Sequence, residues 1–169
     1  MTIVQFEELP LLRARFRDKK IIFCSGSFDL THAGHVLFFE DCKSRGDILV
    51  VAVGGDRTIR DLKSSSRPIL NESTRVKTVD SLKPVDYTLL DTLTTKEDEH
   101  AIFKKVFEKL KPDVYVINAD VCDIDARRTL AQHYEVELQI SQRECPADFE
   151  NISTSKIIQK ILAIKDTFK

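Results

Sequence analysis

The chain has 169 residues, 42% of them hydrophobic and 31% charged, with a formal net charge of −1. These values exclude a disordered polymer and lack the basic excess of a nonspecific nucleic-acid binder. Such a length is expected to fold as one domain around one core, without a metal or disulfide to hold it.

Residues 1–8 are acidic rather than basic, so they do not read as a signal peptide. No apolar run approaches the roughly 18 residues of a membrane span. Cys24, Cys42, Cys122 and Cys145 form no CxxC pair, which suits reduced thiols and a cytoplasmic location. No repeat, low-complexity tract or Gly/Ser linker interrupts the chain, and the run Ser64-Ser65-Ser66 is too short to divide it. One domain over residues 1–169 is therefore expected, with a core at about 20–162 and a lead-in segment at 1–19.

The first buried strand is expected at residues 20–24 (KIIFC). A polar loop, SGSFDLTHAGH, follows at 25–35. A helix over 35–45 then places Val36, Phe39 and Cys42 on one side, with Phe38 alongside. A second apolar run, 48–53 (ILVVAV), reads as another strand covered on both faces. Asn71 is suited to cap a helix start. Residues 85–90 form a weaker strand candidate. A helix over 99–110 gathers Ile102, Phe103, Val106, Phe107 and Leu110 on one face. A third strong strand lies at 114–117 (VYVI) and a weaker one at 136–140. The last helix, 153–168, starts at the capping residue Ser153 and aligns Ile157, Ile158, Ile161 and Leu162. This alternation predicts an α/β fold, a Rossmann-like, doubly wound parallel sheet of five strands. Ligands of such sheets sit beyond the carboxyl ends of the strands, so the loops after Cys24, Val53, Ile117 and Ile140 are the ones to inspect.

The loop after Cys24 carries the chemistry. Gly26 allows close backbone approach to a ligand, and Gly34 leaves room at the helix start. That helix start offers unpaired N–H groups and a positive dipole end, a natural anion site. His32 and His35 are three residues apart and can face one ligand, where their N–H groups would stabilise charge on a transferred phosphoryl group. A single histidine near a helix start is commonly a packing or surface residue; two flanking a glycine in a strand-to-helix loop favour the anion site. A zinc site from His32, His35, Asp29 and Cys24 is disfavoured because Cys24 lies within a strand, so no fixed protein metal site is expected. The sequence has no GxSxG elbow, no GxxxxGK[ST] loop and no GxGxxG.

Gly26, Ser27, Phe28, Asp29, His32, Gly34 and His35 together resemble the G-[ST]-F-D-x-x-H-x-G-H loop of the cytidylyltransferase-like nucleotidyltransferase superfamily. Ile152-Ser153-Thr154-Ser155 is similar to its ISTS helix start. The segment from Asp56 through Leu62-Lys63 to Arg67-Pro68-Ile69 resembles heptose 1-phosphate adenylyltransferases, as do Asn71-Glu72-Ser73-Thr74-Arg75 and Val85-Asp86-Tyr87. Glycerol-3-phosphate and ethanolamine-phosphate cytidylyltransferases share the outer motifs and match this middle less well.

The resemblance implies that an acceptor phosphate oxygen attacks the α-phosphorus of ATP or CTP, assisted by magnesium, and that pyrophosphate leaves. It implies catalytic roles for His32, His35 and Lys63. It implies nucleotide contacts from Ser25, Gly26, Ser27, Phe28, Asp29, Gly34, Asp120, Arg143, Ile152, Ser153 and Thr154. Arg67 and Arg75 would bind the acceptor. Its partners would be the nucleotide and a small phosphorylated acceptor, with no nucleic acid, and homodimers are common in the family.

Two stretches depart from the pattern. Asn118 stands where a glycine is expected in Val116-Ile117-Asn118-Ala119-Asp120. Arg143 lies nine residues before Ile152, and Asn151 takes a glycine position. The readings carried forward are a sugar-phosphate adenylyltransferase, an alcohol-phosphate cytidylyltransferase, an enzyme adenylylating FMN or pantetheine phosphate, and a nucleotide-binding protein without catalysis.

Overall fold

The computed structural model describes residues 2–142 and 145–165. Its frame is a six-stranded sheet in the order β1-β4-β3-β2-β5-β6, every pair parallel. The strands are β1 (Ile3–Val4), β2 (Ile21–Gly26), β3 (Ile48–Gly54), β4 (Tyr87–Asp91), β5 (Val114–Asn118) and β6 (Glu137–Ser141). The helices are α1 (Leu9–Arg15), α2 (Ala33–Ser44), α3 (Asp56–Leu62), α4 (Glu72–Asp80), α5 (Ala101–Lys109), α6 (Ile124–His133) and α7 (Thr154–Lys165).

The sheet has one strand more than the five expected. The extra strand is β1, a two-residue edge strand paired with β4 and too short to show any periodicity. The lead-in segment is thereby part of the core: Val4, Leu9 and Leu12 are buried with Ile21 and Phe23. Helix α2 begins two residues earlier than its apolar spacing suggests. Asn71 caps α4 as expected, its side chain accepting from Thr74 N at 2.9 Å.

The central strands are apolar throughout because both sheet faces are covered. Along β3, Val50 and Ala52 face Ile102, Phe103, Val106 and Phe107 of α5, while Leu49, Val51 and Val53 face Phe38, Phe39 and Cys42 of α2 and Val76 and Val79 of α4. Carboxylates close the amino ends of strands: Asp86 accepts from Leu49 N at 2.7 Å and Asp113 from Ile21 N at 2.7 Å. Among the described residues no helix is long and apolar enough to cross a membrane.

Strand β2 has β3 on one side and β5 on the other. The chain winds outward from β2 through β3 to β4, then crosses to β5 and β6. The reversal opens a crevice at the carboxyl ends of β2 and β5, where doubly wound sheets hold ligands. The loops that follow these two strands carry the motif residues and Asp120.

Candidate active site

The β2–α2 loop is held in a conformation its residues would not choose alone. Phe28 and Leu30 have φ of 45° and 46°, the left-handed region that bulky residues avoid. Such strain persists only where neighbours over-determine it. The Phe28 ring is buried, edge-on to His35 at 5.4 Å and tilted against Phe39 at 4.8 Å. Thr31 Oγ1 donates to the Phe28 carbonyl at 3.1 Å.

Asp29 fixes the loop from within. Its carboxylate is fully buried and accepts from Ile69 N at 2.8 Å, Leu70 N at 3.0 Å and Arg67 Nε at 3.1 Å. Arg67 Nη2 lies 2.9 Å from the same carboxylate. Asp29 therefore presents no carboxylate to a nucleotide, which corrects the contact expected of it. Arg67 is largely enclosed and held in an internal ion pair with Asp29.

Arg75 is also corrected. Its guanidinium is fully buried and donates to the carbonyls of Leu70 at 2.9 Å, Ser27 at 2.7 Å and Gly54 at 2.6 Å, and to Asp56 Oδ1 at 2.8 Å. It ties the ends of β2 and β3 to the segment before α4 and has no face left for an acceptor.

On the open side of the loop, His32 caps α2 with its backbone carbonyl, which accepts from His35 N at 2.9 Å. The two imidazoles are stacked, with centroids 4.0 Å apart and planes 25° from parallel. Gly34 lies between them in sequence, and a methyl group there would lie 3.1 Å from the His32 ring and 3.4 Å from the Ile152 carbonyl. A glycine at 34 thus keeps His32 in place and lets the Ile152-Ser153-Thr154 segment approach. Thr154 Oγ1 donates to the Asp29 carbonyl at 2.9 Å, and Lys156 N donates to Ser153 Oγ at 3.3 Å. The starts of α2 and α7 therefore meet on one loop, each a positive dipole end.

Lys63 completes the group. Its ammonium donates to Ser27 Oγ at 2.9 Å. Although Lys63 as a whole is exposed, the partial burial of this head lowers its pKa. Arg67 and Arg75 push the same way, while Asp29 and Asp120 oppose them. A bound triphosphate would favour the charged form. Nucleotide affinity is therefore expected to be full below the depressed pKa and to fall as pH rises through it, earlier than an ordinary lysine near 10.4 would allow. Titrating affinity from pH 7 to 10 checks this, with Lys63→Arg expected to flatten the profile. An unchanged profile in that variant would remove Lys63 as the titrating group.

Across the crevice, Asp120 is exposed in the β5–α6 loop. A group that sequence reasoning missed braces this loop. Asp123, at φ 65°, accepts from Arg127 Nε at 2.9 Å and lies 2.8 Å from His100 Nε2. Arg127 Nη1 donates to the buried Tyr115 hydroxyl at 2.6 Å. Burial pushes the Tyr115 phenol up to about 12, against the pull of Arg127. The signal available in the sequence was Asp123 four residues before Arg127 at a helix start. Arg143 lies outside the described residues. Among the described residues no three His, Cys, Asp or Glu side chains converge as metal ligands.

The sequence model of a family described as Cytidylyltransferase-like matches residues 23–160, from β2 into α7. The chain belongs to the cytidylyltransferase-like family. It is 36% identical over 143 residues to the bifunctional protein HldE of Helicobacter pylori (strain HPAG1), spanning 85% of this chain and 28% of that protein. It is 35% identical over 147 residues to an FAD synthase of Ferroglobus placidus (strain DSM 10642 / AEDII12DO), spanning 86% of this chain and 90% of that protein. Among solved structures it is similar to a lipopolysaccharide core biosynthesis protein from Thermoplasma volcanium GSS1, with a TM-score of 0.63 and 27% identity. That match covers 75% of this chain and 99% of the other. The matched residues include the glycine-bounded histidine loop and the start of α7.

Proposed function

We propose that the chain transfers AMP or CMP from a nucleoside triphosphate to a small phosphorylated acceptor, with release of pyrophosphate. The observation that carries this reading is the convergence of the His32–His35 stack, Lys63 and the start of α7 on one strained loop. An acceptor phosphate oxygen forms a bond to the α-phosphorus as the bond to the β-phosphate bridging oxygen breaks. Charge builds on that oxygen and on the departing pyrophosphate. Imidazole N–H groups, the ammonium of Lys63 and two helix starts are donors fixed in advance, so little reorganisation is needed. Magnesium would ride on the triphosphate oxygens, as it usually keeps most of its ligands from water and phosphate. Asp120, exposed in the β5–α6 loop, would contribute a nucleotide contact.

A sugar 1-phosphate of the heptose type is the acceptor we favour, with ATP as the donor, from the Lys63–Arg75 segment and the HldE relative. An alcohol phosphate with CTP is the alternative within the same chemistry. FMN with ATP is a second reading, supported by the 35% identity to the FAD synthase over 147 residues. A cytoplasmic, homodimeric enzyme remains part of the proposal.

Pyrophosphate release is the test, with ATP and CTP each paired against heptose 1-phosphate, glycerol 3-phosphate, ethanolamine phosphate, FMN and pantetheine phosphate. ATP with heptose 1-phosphate is expected to turn over fastest. Release with FMN alone would move the assignment to the second reading. Tight nucleotide binding without release from any pair would make the chain a nucleotide-binding protein.

A further inference from the structure

Tyr115 and Ser25 stand on the face of the sheet turned away from α2. Tyr115 pairs with Phe23 across β2 and β5, and side chains alternate along a strand, so Ser25, two residues after Phe23, shares that face. The Ser25 and Tyr115 hydroxyls are hydrogen-bonded. The Tyr115 hydroxyl accepts at the same time from Arg127 Nη1 at 2.6 Å. Its ring is buried and stacked on Phe23, with centroids 5.5 Å apart, so the hydroxyl is held in one place.

Arg127 is shared between this pair and the loop across the crevice. Its Nε donates to Asp123 Oδ1 at 2.9 Å, and the other carboxylate oxygen lies 2.8 Å from His100 Nε2. Its guanidinium lies over the Phe103 ring, 4.7 Å from the centroid. Asp123 ends the β5–α6 loop in a left-handed conformation, with φ 65° and ψ 29°, and starts α6. Such a conformation persists where neighbours over-determine it, and here the neighbours are Arg127 and His100. One planar, permanently charged group thus joins Ser25, the residue before Gly26, to the turn that closes the loop carrying Asp120.

We propose that Arg127 is a positioning residue for nucleotidyl transfer: through Tyr115 and Ser25 on one side and Asp123 on the other, it sets the two loops that bound the crevice at a fixed separation. The proposal rests on the nucleotidyl-transfer reading. Donors fixed in advance on the β2–α2 loop accelerate transfer only if the opposite wall of the site is fixed relative to them. A single guanidinium that bonds both walls from beneath does this without touching the nucleotide.

Steady-state pyrophosphate release by the whole chain tests this, well below each variant's thermal midpoint, with the nucleotide and acceptor that the unaltered protein turns over fastest. Tyr115→Phe removes one hydroxyl and keeps the stacked ring. It is expected to lose roughly tenfold in kcat/KM, short of the ~10²-fold of a 1 Å misplacement, with nucleotide KM raised and kcat lowered together. Arg127→Met should lose more, and adding Tyr115→Phe to it should cost nothing further, because both act through one contact. Arg13→Met serves as the comparison. Arg13 joins Asp113 to the carbonyls of Phe16, Arg17 and Lys19 at the amino ends of the strands, so its loss should lower the midpoint without moving KM or kcat. Normal KM and kcat in Tyr115→Phe overturn the proposal, as do losses that add in the double variant or an equal loss in Arg13→Met. Where Arg127→Met fails to fold, Tyr115→Phe set against Arg13→Met decides. Absence of release from the unaltered protein with every pair would overturn the nucleotidyl-transfer reading as well, so the two failures are distinct.

Discussion

Alanine at both His32 and His35 will slow pyrophosphate release by roughly a thousandfold or more, while the protein stays folded. Removing one preorganised donor from a site of developing charge costs about 10²–10³ in rate. The two rings are stacked 4.0 Å apart and serve one place, so their losses will not multiply. The fold should survive because both residues are only half-buried and the Phe28–Phe39 contact remains. Loss of the edge contact between His35 and Phe28 should cost about 1 kcal/mol. The readout is turnover alongside the thermal midpoint. Turnover within tenfold of the unaltered protein, at an unchanged midpoint, would show that the imidazoles do not stabilise the transferring group. Loss of rate with a collapsed midpoint would mean instead that the stack holds the loop.

The place of the β2–α2 loop was legible in the sequence because its signals are local. Two glycines, an aspartate and two histidines in eleven residues, after an apolar run and before a helical pattern, mark a strand-to-helix loop. The strands β2, β3 and β5 were legible for a related reason: burial on both faces removes polar alternation. Strand β1 was not, since two residues carry no period. The short helices α1, α3 and α6 were unread because propensity over seven to ten residues is weak without a strong apolar stripe.

Side-chain direction was the harder matter. Asp29, Arg67 and Arg75 belong to the motif region, and their charges suggested phosphate and acceptor. The structure turns all three inward. Their spacing of 38 and 46 residues cannot announce that one carboxylate will collect Arg67, Ile69 N and Leu70 N. A charged residue in a ligand loop has two uses, touching the ligand or shaping the backbone that does. Only long-range pairing separates them. Asp123 and Arg127 illustrate the same point across the crevice, where they hold the loop that carries Asp120.

The largest effect on the fold is expected at Arg75. Methionine there keeps much of the volume and removes every donor. It leaves the carbonyls of Ser27, Gly54 and Leu70 without their guanidinium and Asp56 without its counter-charge. Removing one partner from a buried ion pair costs about 3–5 kcal/mol. For a chain of this size that corresponds to a fall of roughly 6–20 °C in the thermal midpoint. Lysine is expected to recover only part of the loss, because a compact ammonium cannot reach four acceptors set around a planar fork. A purely structural role would end there. A positioning role predicts more: well below its midpoint, Arg75→Lys should still show a raised nucleotide KM and a reduced kcat. The Ser27 carbonyl that Arg75 holds precedes Phe28 and Asp29 and sits on the residue whose hydroxyl receives Lys63. A methionine variant that melts within 2 °C of the unaltered protein would show that the buried guanidinium is not what joins these segments. A lysine variant with normal KM and kcat would confine Arg75 to stability alone.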